Sequence, residues 1–297
     1  MTTTSAVSVV CGNLKTMGHV SSTADEASPA SRSVTTVTVG EVERGFGVRF
    51  WTVISATFLG FIGVGAILPQ LGPHVRVDLG ASDFTVGLII GIFSVVALLS
   101  RFLSGAVTDQ RGRKYAFLCG LALCSFSGAF YWVPGGVATV FAGRVLQGMG
   151  EAFLYTAAAT WVIELAPDDK RARALGYLST GIWGGICVGP AVGHALGTYQ
   201  AAAALLLISP LPAMYALHKL VPDTFKVASG GRSYLAASKD VLMPGVALGL
   251  ANVHYPAFTG FLALHLARYG AAGGRAFSAY AAMVVTSRFL LSGLPSA

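Results

Sequence analysis

Charged side chains are scarce in this sequence. Asp, Glu, Lys and Arg make up 11% of its 297 residues, against about 25% in a soluble globular domain. A chain with so few charges cannot cover a surface that faces water, which excludes an ordinary soluble protein. Hydrophobic residues make up 54% of the chain, so the sequence predicts a protein whose surface is covered by a lipid bilayer.

Cysteine is also rare, and the spacing of the four cysteines fits neither a metal site nor a redox pair. Cys119, Cys124 and Cys187 lie inside apolar runs, where a free cysteine acts as a small packing residue. No nucleophile–base set, phosphate-binding loop or metal-ligand cluster can be recognised either. We therefore expect no enzyme activity, no cofactor and no bound metal.

Acidic residues are fewer than basic ones, 13 against 20, which gives a formal net charge of +7. An excess of bases can indicate a nucleic-acid partner. Here the bases are dispersed over short polar stretches rather than concentrated on one polar domain, so no nucleic-acid partner is expected. Positively charged loops on the cytoplasmic side of a membrane account for them better.

Long apolar runs dominate the remainder of the chain. Each is close to the ~20 residues that cross the hydrocarbon of a bilayer as a helix, and too long for a strand of a membrane barrel. The sequence therefore predicts an all-α membrane protein with eight helices, at about 50–71, 84–107, 115–133, 137–163, 175–196, 199–218, 241–264 and 277–294.

The lengths of the polar stretches predict the domain organisation. Residues 1–48 are interpreted as a disordered cytoplasmic tail, and 49–218 as a six-helix transmembrane bundle. Residues 219–240 form a cytoplasmic linker, and 241–297 supply the first two helices of a second bundle. The hexapeptide SRFLSG at 100–105 reappears as SRFLLSG at 287–293, in the same place of the second bundle, which favours two repeats.

The distribution of Lys and Arg predicts the orientation in the membrane. With the tail and the loops after helices two, four and six in the cytoplasm, three bases lie in loops outside, Arg76, Arg268 and Arg275. We therefore predict a multi-pass protein of the cell membrane (plasma or inner) with a cytoplasmic N-terminus. The cytoplasmic side then holds fourteen bases: Lys15, Arg32, Arg44, Arg49, Arg111, Arg113, Lys114, Lys170, Arg171, Arg173, Lys219, Lys226, Arg232 and Lys239.

A dense charged turn separates the second and third apolar runs. Its sequence GAVTDQRGRK resembles the G-x-L-x-D-R-x-G-R-K signature of the major facilitator superfamily, with Val107 and Gln110 as the two departures. Its glycines permit a tight turn and a close approach of helices. A plain positively charged turn is the alternative, although it does not explain the pattern of glycines and acid. The predicted conformational residues here are Gly105, Asp109, Arg111, Gly112, Arg113 and Lys114.

The fourth apolar run carries charge at membrane depth. Its segment RVLQGMGEA at 144–152 is similar to the R-x-x-Q-G-x-G motif of the superfamily. At 100° per residue, one stripe of the helix carries Arg144, Gln147, Glu151 and Tyr155. Charges in the hydrocarbon are costly unless they are paired or hydrated, so an inward-facing pathway for substrate or protons is the default hypothesis. A structural Arg–Glu pair between packed helices is the alternative.

The fifth apolar run contains a glycine ladder. Its segment GICVGPAVGH resembles the G-x-x-x-G-P-x-x-G-G motif of the antiporters in the superfamily, with His194 in place of the last glycine. The motif residues are Gly185, Gly189, Pro190 and Gly193. They predict close helix packing and a bend at the proline, and the resemblance implies a role in the direction of transport. A packing seam without such a role is the alternative.

Glu164 ends the fourth run at the same membrane level as the charged turn. In the superfamily, acids at this position join a charge network with that turn, so the resemblance implies a pair between Glu164 and Arg111 or Arg113. Such a network would hold one conformation and release in another. A solvated surface ion pair, worth ~0–1 kcal/mol, is the alternative.

The resemblance implies a secondary transporter in which a small solute binds near the midplane between two bundles. We expect outward movement of the solute in exchange for protons, with Glu151 as the one deep acid, because the first apolar run contains none. The expected partners are the lipid bilayer, the solute and, with proton exchange, protons. The candidate pathway residues are Arg144, Gln147, Glu151 and Tyr155 of helix four and Asn252, His254, Tyr255 and Thr259 of helix seven.

Two alternatives stay open. His254 is as readily explained by a packed core histidine as by a binding residue. The sequence contains eight of the twelve helices of the superfamily, so we expect that these 297 residues alone do not transport. A truncated, non-transporting membrane protein or an assembly partner is the competing function.

Overall fold

The computed structural model describes residues 46–222 and, beyond them, residues 243, 265–266, 279–280, 282–283 and 286–287. Within these residues every regular element is helical. The helices are α1 (Val48–Pro73), α2 (Asp83–Arg111), α3 (Arg113–Trp132), α4 (Gly136–Leu165), α5 (Arg171–Leu196), α6 (Tyr199–Ile208) and α7 (Pro210–Leu220). A π-helical turn (His74–Asp78) extends α1, and a short 3-10 turn (Asp168–Lys170) precedes α5.

Five stretches of the described chain are long and apolar enough to cross a membrane: Val48–Asp78, Asp83–Arg111, Arg113–Trp132, Asp168–Leu196 and Tyr199–Leu220. Helix α4 is as long as these, with 30 residues, but Arg144, Gln147 and Glu151 in its middle lower its hydropathy. The prediction of membrane-length helices is confirmed for this part of the chain. Predicted helices seven and eight lie outside the described residues, as do the tail up to residue 45 and most of the predicted linker.

The sixth predicted helix is broken. Helix α6 ends at Ile208 and α7 begins at Pro210, with Ser209 between them. Proline has no amide hydrogen, so residue 210 cannot continue the helical hydrogen bonds. The carbonyl of Leu207, beside this break, accepts a hydrogen bond from the Ser125 hydroxyl of α3. The sequence predicts one continuous helix over 199–218, and this is the correction.

The charged turn between α2 and α3 is shorter than the sequence suggests. Helix α2 continues through Asp109 to Arg111, and Gly112 alone separates it from α3. Gly112 has φ +97° and ψ 158°, a conformation that side-chain-bearing residues rarely adopt. Two helix starts have side-chain caps. Ser82 and Thr198 accept hydrogen bonds from Thr85 N and Ala201 N at the starts of α2 and α6.

Helix α1 lies at the centre of the bundle. Its middle is buried from Val53 to Leu71 on most sides, and it packs mainly against α5, with further contacts to α6 and α7. Helix α3 packs against α4, and α2 packs against α4 on the other side. Helix α2 is the least covered of the membrane-length helices, because many of its large apolar side chains are exposed. Helix α4 is therefore held between α2 and α3, and this position defines the site.

Candidate functional site

Arg144 lies in the packed interior between α4 and α2 and is 3% exposed. Its Nε donates to the carbonyl of Ile89 at 3.3 Å and its Nη2 to that of Ile90 at 3.5 Å, both on α2. The guanidinium carbon lies 4.5 Å from the centre of the Phe93 ring. The charge is therefore held by carbonyl dipoles and an aromatic face rather than by a carboxylate within the described residues.

Gln147 joins Arg144 to Glu151. Its Oε1 accepts two hydrogen bonds, from Arg144 Nη1 at 3.0 Å and from the Tyr131 hydroxyl of α3 at 2.7 Å. Its Nε2 donates to Glu151 Oε1 at 3.0 Å. Two donors on the oxygen fix the orientation of the amide, because the flipped amide would place its NH₂ group against both of them. Arg144 and Glu151 thus interact through an intervening amide and not as a direct pair.

Two glycines let α4 approach both neighbours. A Cβ atom at Gly148 would lie 2.8 Å from the Phe93 carbonyl oxygen of α2, and one at Gly150 would lie 2.8 Å from Cys124 N of α3. Residues two apart on a helix point to nearly opposite sides. The spacing of the two glycines therefore matches the position of α4 between two helices. The close approach to α2 brings Arg144 within reach of the α2 carbonyls.

One turn further along α4, the side chains become more exposed. Tyr155 is 38% exposed, and the guanidinium carbon of Arg101 on α2 lies 5.4 Å from the centre of its ring. The helices are joined beside this pair by a hydrogen bond of 3.0 Å from Ser104 Oγ to Thr156 Oγ1. Glu151 is partly buried, and Arg101 is exposed. The predicted stripe on α4 is thus buried at Arg144 and Gln147 and opens towards Tyr155.

Sequence reasoning missed Tyr131 and Arg101. Tyr131 lies near the end of α3 and contacts a residue on another helix, so no spacing along the chain indicates the pair. Arg101 did carry a signal, since an ionisable residue inside a membrane-length apolar run is unusual. Arg101 stands out in the sequence as part of the repeated SRFLSG segment, but only the folded structure shows that it contacts Tyr155.

The Arg113 side chain contacts groups of α2 and α4 beside the charged turn. Its Nη2 and Nε lie 2.6 Å and 2.8 Å from Glu164 Oε1 on α4, and its Nη1 donates to the Thr108 carbonyl at 2.9 Å. The Asp109 carboxylate lies 3.7 Å from Nη1. Of the two arginines considered as partners for Glu164, Arg113 makes the contact. The arrangement ties the ends of α2, α3 and α4 together.

Arg111 and Lys114 have other contacts. Arg111 lies over the ring of Tyr115, with 5.4 Å from its guanidinium carbon to the ring centre. Lys114 Nζ donates to the carbonyls of Val221 at 2.6 Å and His218 at 3.4 Å, at the end of α7. A cation at a helix C-terminus is favourable, so Lys114 fixes the end of the last bundle helix. Around Gly105 the described residues leave open space, since nothing lies within 4 Å of a Cβ placed there.

The glycine ladder of α5 lies directly on α1. A Cβ atom at Gly189 would lie 2.6 Å from Ala66 N, and one at Gly185 would lie 2.7 Å from the Phe58 carbonyl oxygen. At Gly193 the nearest atom is the Ala66 carbonyl oxygen at 2.7 Å. The backbones of α1 and α5 are therefore in contact. Pro190 stands inside α5 beside this seam.

Four predicted pathway residues, Asn252, His254, Tyr255 and Thr259, lie outside the described residues. Among those that are described, no three His, Cys, Asp or Glu side chains come together in a way that could hold a metal ion. None of the three described cysteines, Cys119, Cys124 and Cys187, forms a disulfide, and Cys124 is buried against Gly150.

Comparisons with known proteins place these features in a family. The chain matches the Major Facilitator Superfamily over residues 53–296. It is 29% identical over 226 residues to an uncharacterized MFS-type transporter of Burkholderia mallei (strain SAVP1), covering 73% of this chain and 56% of the relative. It is 28% identical over 144 residues to Multidrug resistance protein 2 of Bacillus subtilis (strain 168), covering 48% of this chain and 36% of that protein.

Solved structures share the fold. The peptide transporter POT in complex with sulfate superposes with a TM-score of 0.55 at 18% identity, covering 74% of this chain and 50% of that one. A POT family transporter in complex with 5-aminolevulinic acid gives 0.52 at 14% identity, covering 69% and 45%. The chain spans about half the length of these proteins and of its Burkholderia relative. Since the family match extends over most of the sequence and the described helices are of membrane length, the chain belongs to the Major Facilitator Superfamily as a multi-pass membrane protein.

Proposed function

We propose that this chain forms the N-terminal bundle, with further helices, of a secondary transporter that moves a small solute outward in exchange for protons. The observation that carries the proposal is the position of Glu151. Among the described residues it is the one acid near the middle of a long helix, since the others lie in end turns or connections. An acid at membrane depth is expected to serve a pathway.

The hydrogen bonds of Glu151 suggest how a proton would act. Its Oε1 accepts from Gln147, whose oxygen binds Arg144, and Arg144 holds two carbonyls of α2. Protonation would remove the negative charge that faces the Gln147 NH₂ group and weaken that bond. The change would reach the contact between α4 and α2 through a buried chain of hydrogen bonds. Proton binding would thereby bias the position of one helix relative to another.

The remaining motifs fit a bundle that moves as one body. The α1–α5 seam brings two backbones into contact, and Arg113 ties the ends of three helices. In transporters of this architecture, two bundles rock against each other around a central site. We propose that residues 49–218 act as one such bundle, and that the Arg113 cluster stabilises one of its two positions.

The relatives support export of a small molecule without identifying it. One relative is named a multidrug resistance protein, which favours outward transport. Two POT structures hold sulfate and 5-aminolevulinic acid, both of them small solutes. The match covers 36% of the multidrug resistance protein and about half of the two POT structures, so solute, coupling ion and direction are parts of the proposal.

The test is Glu151→Gln in liposomes that contain a pH-sensitive dye and the purified chain extended by the last four helices of a family member. An imposed pH gradient should drive flux of a transported solute in the extended protein, and the variant should lose this flux while still binding the solute. Glutamine keeps the shape of the side chain but cannot take up a proton. Asp169→Asn, an exposed acid in the turn before α5, is the matched control and should behave as the original protein.

Unchanged proton-driven flux in Glu151→Gln would remove Glu151 as the coupling residue. If the extended chain binds a solute but shows no flux in either direction, the competing function is favoured, namely a non-transporting membrane protein or an assembly partner.

A further inference from the structure

We propose that Arg101 of α2, together with Tyr155 of α4, binds the anionic group of a small solute, a carboxylate or phosphonate. The inference rests on the proposed function in one respect, because it takes the exposed face of α4 beside Glu151 as part of a pathway. It goes further by naming the chemical class of the solute and a binding residue outside the motif segments at 105–114, 144–152 and 185–194.

Arg101 stands deep in a membrane-length helix. Almost three helical turns, about 15 Å, separate it from the end of α2 at Arg111. Its side chain is nevertheless exposed in the structure. An arginine cannot remain uncovered in hydrocarbon without a large cost, so such residues face a water-filled cavity or a charged partner. The position therefore requires water or an anion beside the guanidinium group.

Among the described residues, the geometry leaves the N–H donors of Arg101 available to that anion. The guanidinium carbon lies 5.4 Å from the centre of the Tyr155 ring, so the ring contacts one face of the group. The N–H donors of a guanidinium point outward in its plane. Across the part of the chain that the structure describes, no carboxylate forms an ion pair with Arg101. The N–H donors in the plane of the guanidinium group can bind two oxygens of a carboxylate or a phosphonate at once.

The contrast with Arg144 shows which of the two arginines is available. Arg144 is buried, and its donors are directed to Ile89, Ile90 and Gln147. Arg101 is exposed, with an aromatic partner that restricts its motion but takes up none of its N–H groups. Arg144 is thus part of the protein interior, whereas Arg101 is presented to a ligand.

The site is held in place by contacts that do not involve the ligand. Ser104, one turn after Arg101, donates to Thr156, the residue after Tyr155, at 3.0 Å. This bond fixes α2 against α4 beside the pair, so little motion has to be lost when a ligand binds. Glu151 lies one turn before Tyr155 on the same helix and would repel a second negative charge. The site therefore favours a solute with one anionic group.

The test compares four probes that share a phenyl ring and differ in charge: benzoate, phenylphosphonate, neutral benzamide and cationic benzylamine. Binding to the purified chain is measured by calorimetry. We expect the two anions to bind more tightly than the amide and the amine. Arg101→Gln should weaken anion binding about 10- to 100-fold, as for the loss of hydrogen bonds to a charged group. Arg101→Lys should lie between, because it keeps the charge without the fork.

Two controls separate binding from folding. Arg171→Gln removes an exposed arginine at the start of α5 and should leave anion affinity within twofold. The thermal unfolding midpoint of each variant is measured alongside, and if Arg101→Gln does not fold, Arg101→Lys carries the comparison.

The inference is overturned if neither anion binds, if the amide or amine binds as tightly, or if an Arg101 variant that folds keeps the original affinity. These outcomes are distinct from failure of the proposed function. If proton-driven flux of a cation depends on Glu151 but not on Arg101, the anion site is excluded and the proposed transporter function stands. If anion binding depends on Arg101 but no flux depends on Glu151, the anion site stands and the proposed function fails.

Discussion

At the scale of single residues, Gln147 holds two buried donors with one oxygen. Gln147→Leu would leave the Tyr131 hydroxyl and one N–H of Arg144 without an acceptor inside the protein. Each unsatisfied buried donor costs about 1–3 kcal/mol, and a charged one more. Tyr131→Phe removes one donor and leaves the Gln147 oxygen still paired with Arg144, so about 1 kcal/mol is expected. Thermal unfolding midpoints in detergent should therefore fall further for Gln147→Leu, and equal midpoints would contradict the amide orientation.

The residues of this network differ in how far sequence alone reveals them. Arg144, Gln147 and Glu151 share a helix, so their spacing predicts a common face, and the hydrogen bonds follow that face. Tyr131 and Arg101 come from other helices. Their partners depend on how α2 and α3 pack on α4. That packing depends on glycines such as Gly148, and the periodicity of the sequence does not show which glycines lie at a contact between helices. The contacts that Tyr131 and Arg101 make with α4 could therefore not be predicted from spacing along the chain.

At the scale of helices, α5 combines two kinds of glycine. Gly189 has the α1 backbone 2.6 Å from where a Cβ would stand, whereas Gly176 in the same helix has open space there. Gly189→Ala should separate the helices and cost about 1–3 kcal/mol of stability. Gly176→Ala should be neutral or stabilise by up to about 1 kcal/mol, because alanine is the better helix former. Thermal unfolding midpoints of the two variants test this. A Gly189→Ala variant as stable as the original would contradict backbone contact between α1 and α5 at this position.

Helix existence was easier to predict from the sequence than helix ends. Apolar runs gave the six segments of the first bundle, since length and composition suffice for a membrane helix. The charged end of α2 reads as a loop but is helical to Arg111, because only Gly112 needs a special conformation. The break at Pro210 was missed, since a proline near the middle of an apolar run can either kink a helix or divide it.

At the scale of the whole molecule, most of the described bases at helix ends and turns lie at one end of the bundle. Helix ends and turns on that side carry Arg49, Arg111, Arg113, Lys114, Lys170, Arg171, Arg173 and Lys219, whereas the opposite side carries Arg76. Lys and Arg concentrate on the cytoplasmic side of membrane proteins. We therefore expect the turn at Gly112 and the start of α5 in the cytoplasm, and the connection between α3 and α4 outside.

Single-cysteine labelling tests this orientation. In a background without Cys11, Cys119, Cys124 and Cys187, cysteines are placed at Gln110 or Pro134, two exposed positions at opposite ends of α3. In intact cells, a membrane-impermeant thiol reagent should label the Pro134 variant and reach the Gln110 variant only after the cells are opened. The helix between them is about 30 Å long, so both cannot lie on one side of the bilayer. Labelling of the Gln110 variant in intact cells, with protection of the Pro134 variant, would invert the orientation and place the Arg113–Glu164 cluster outside.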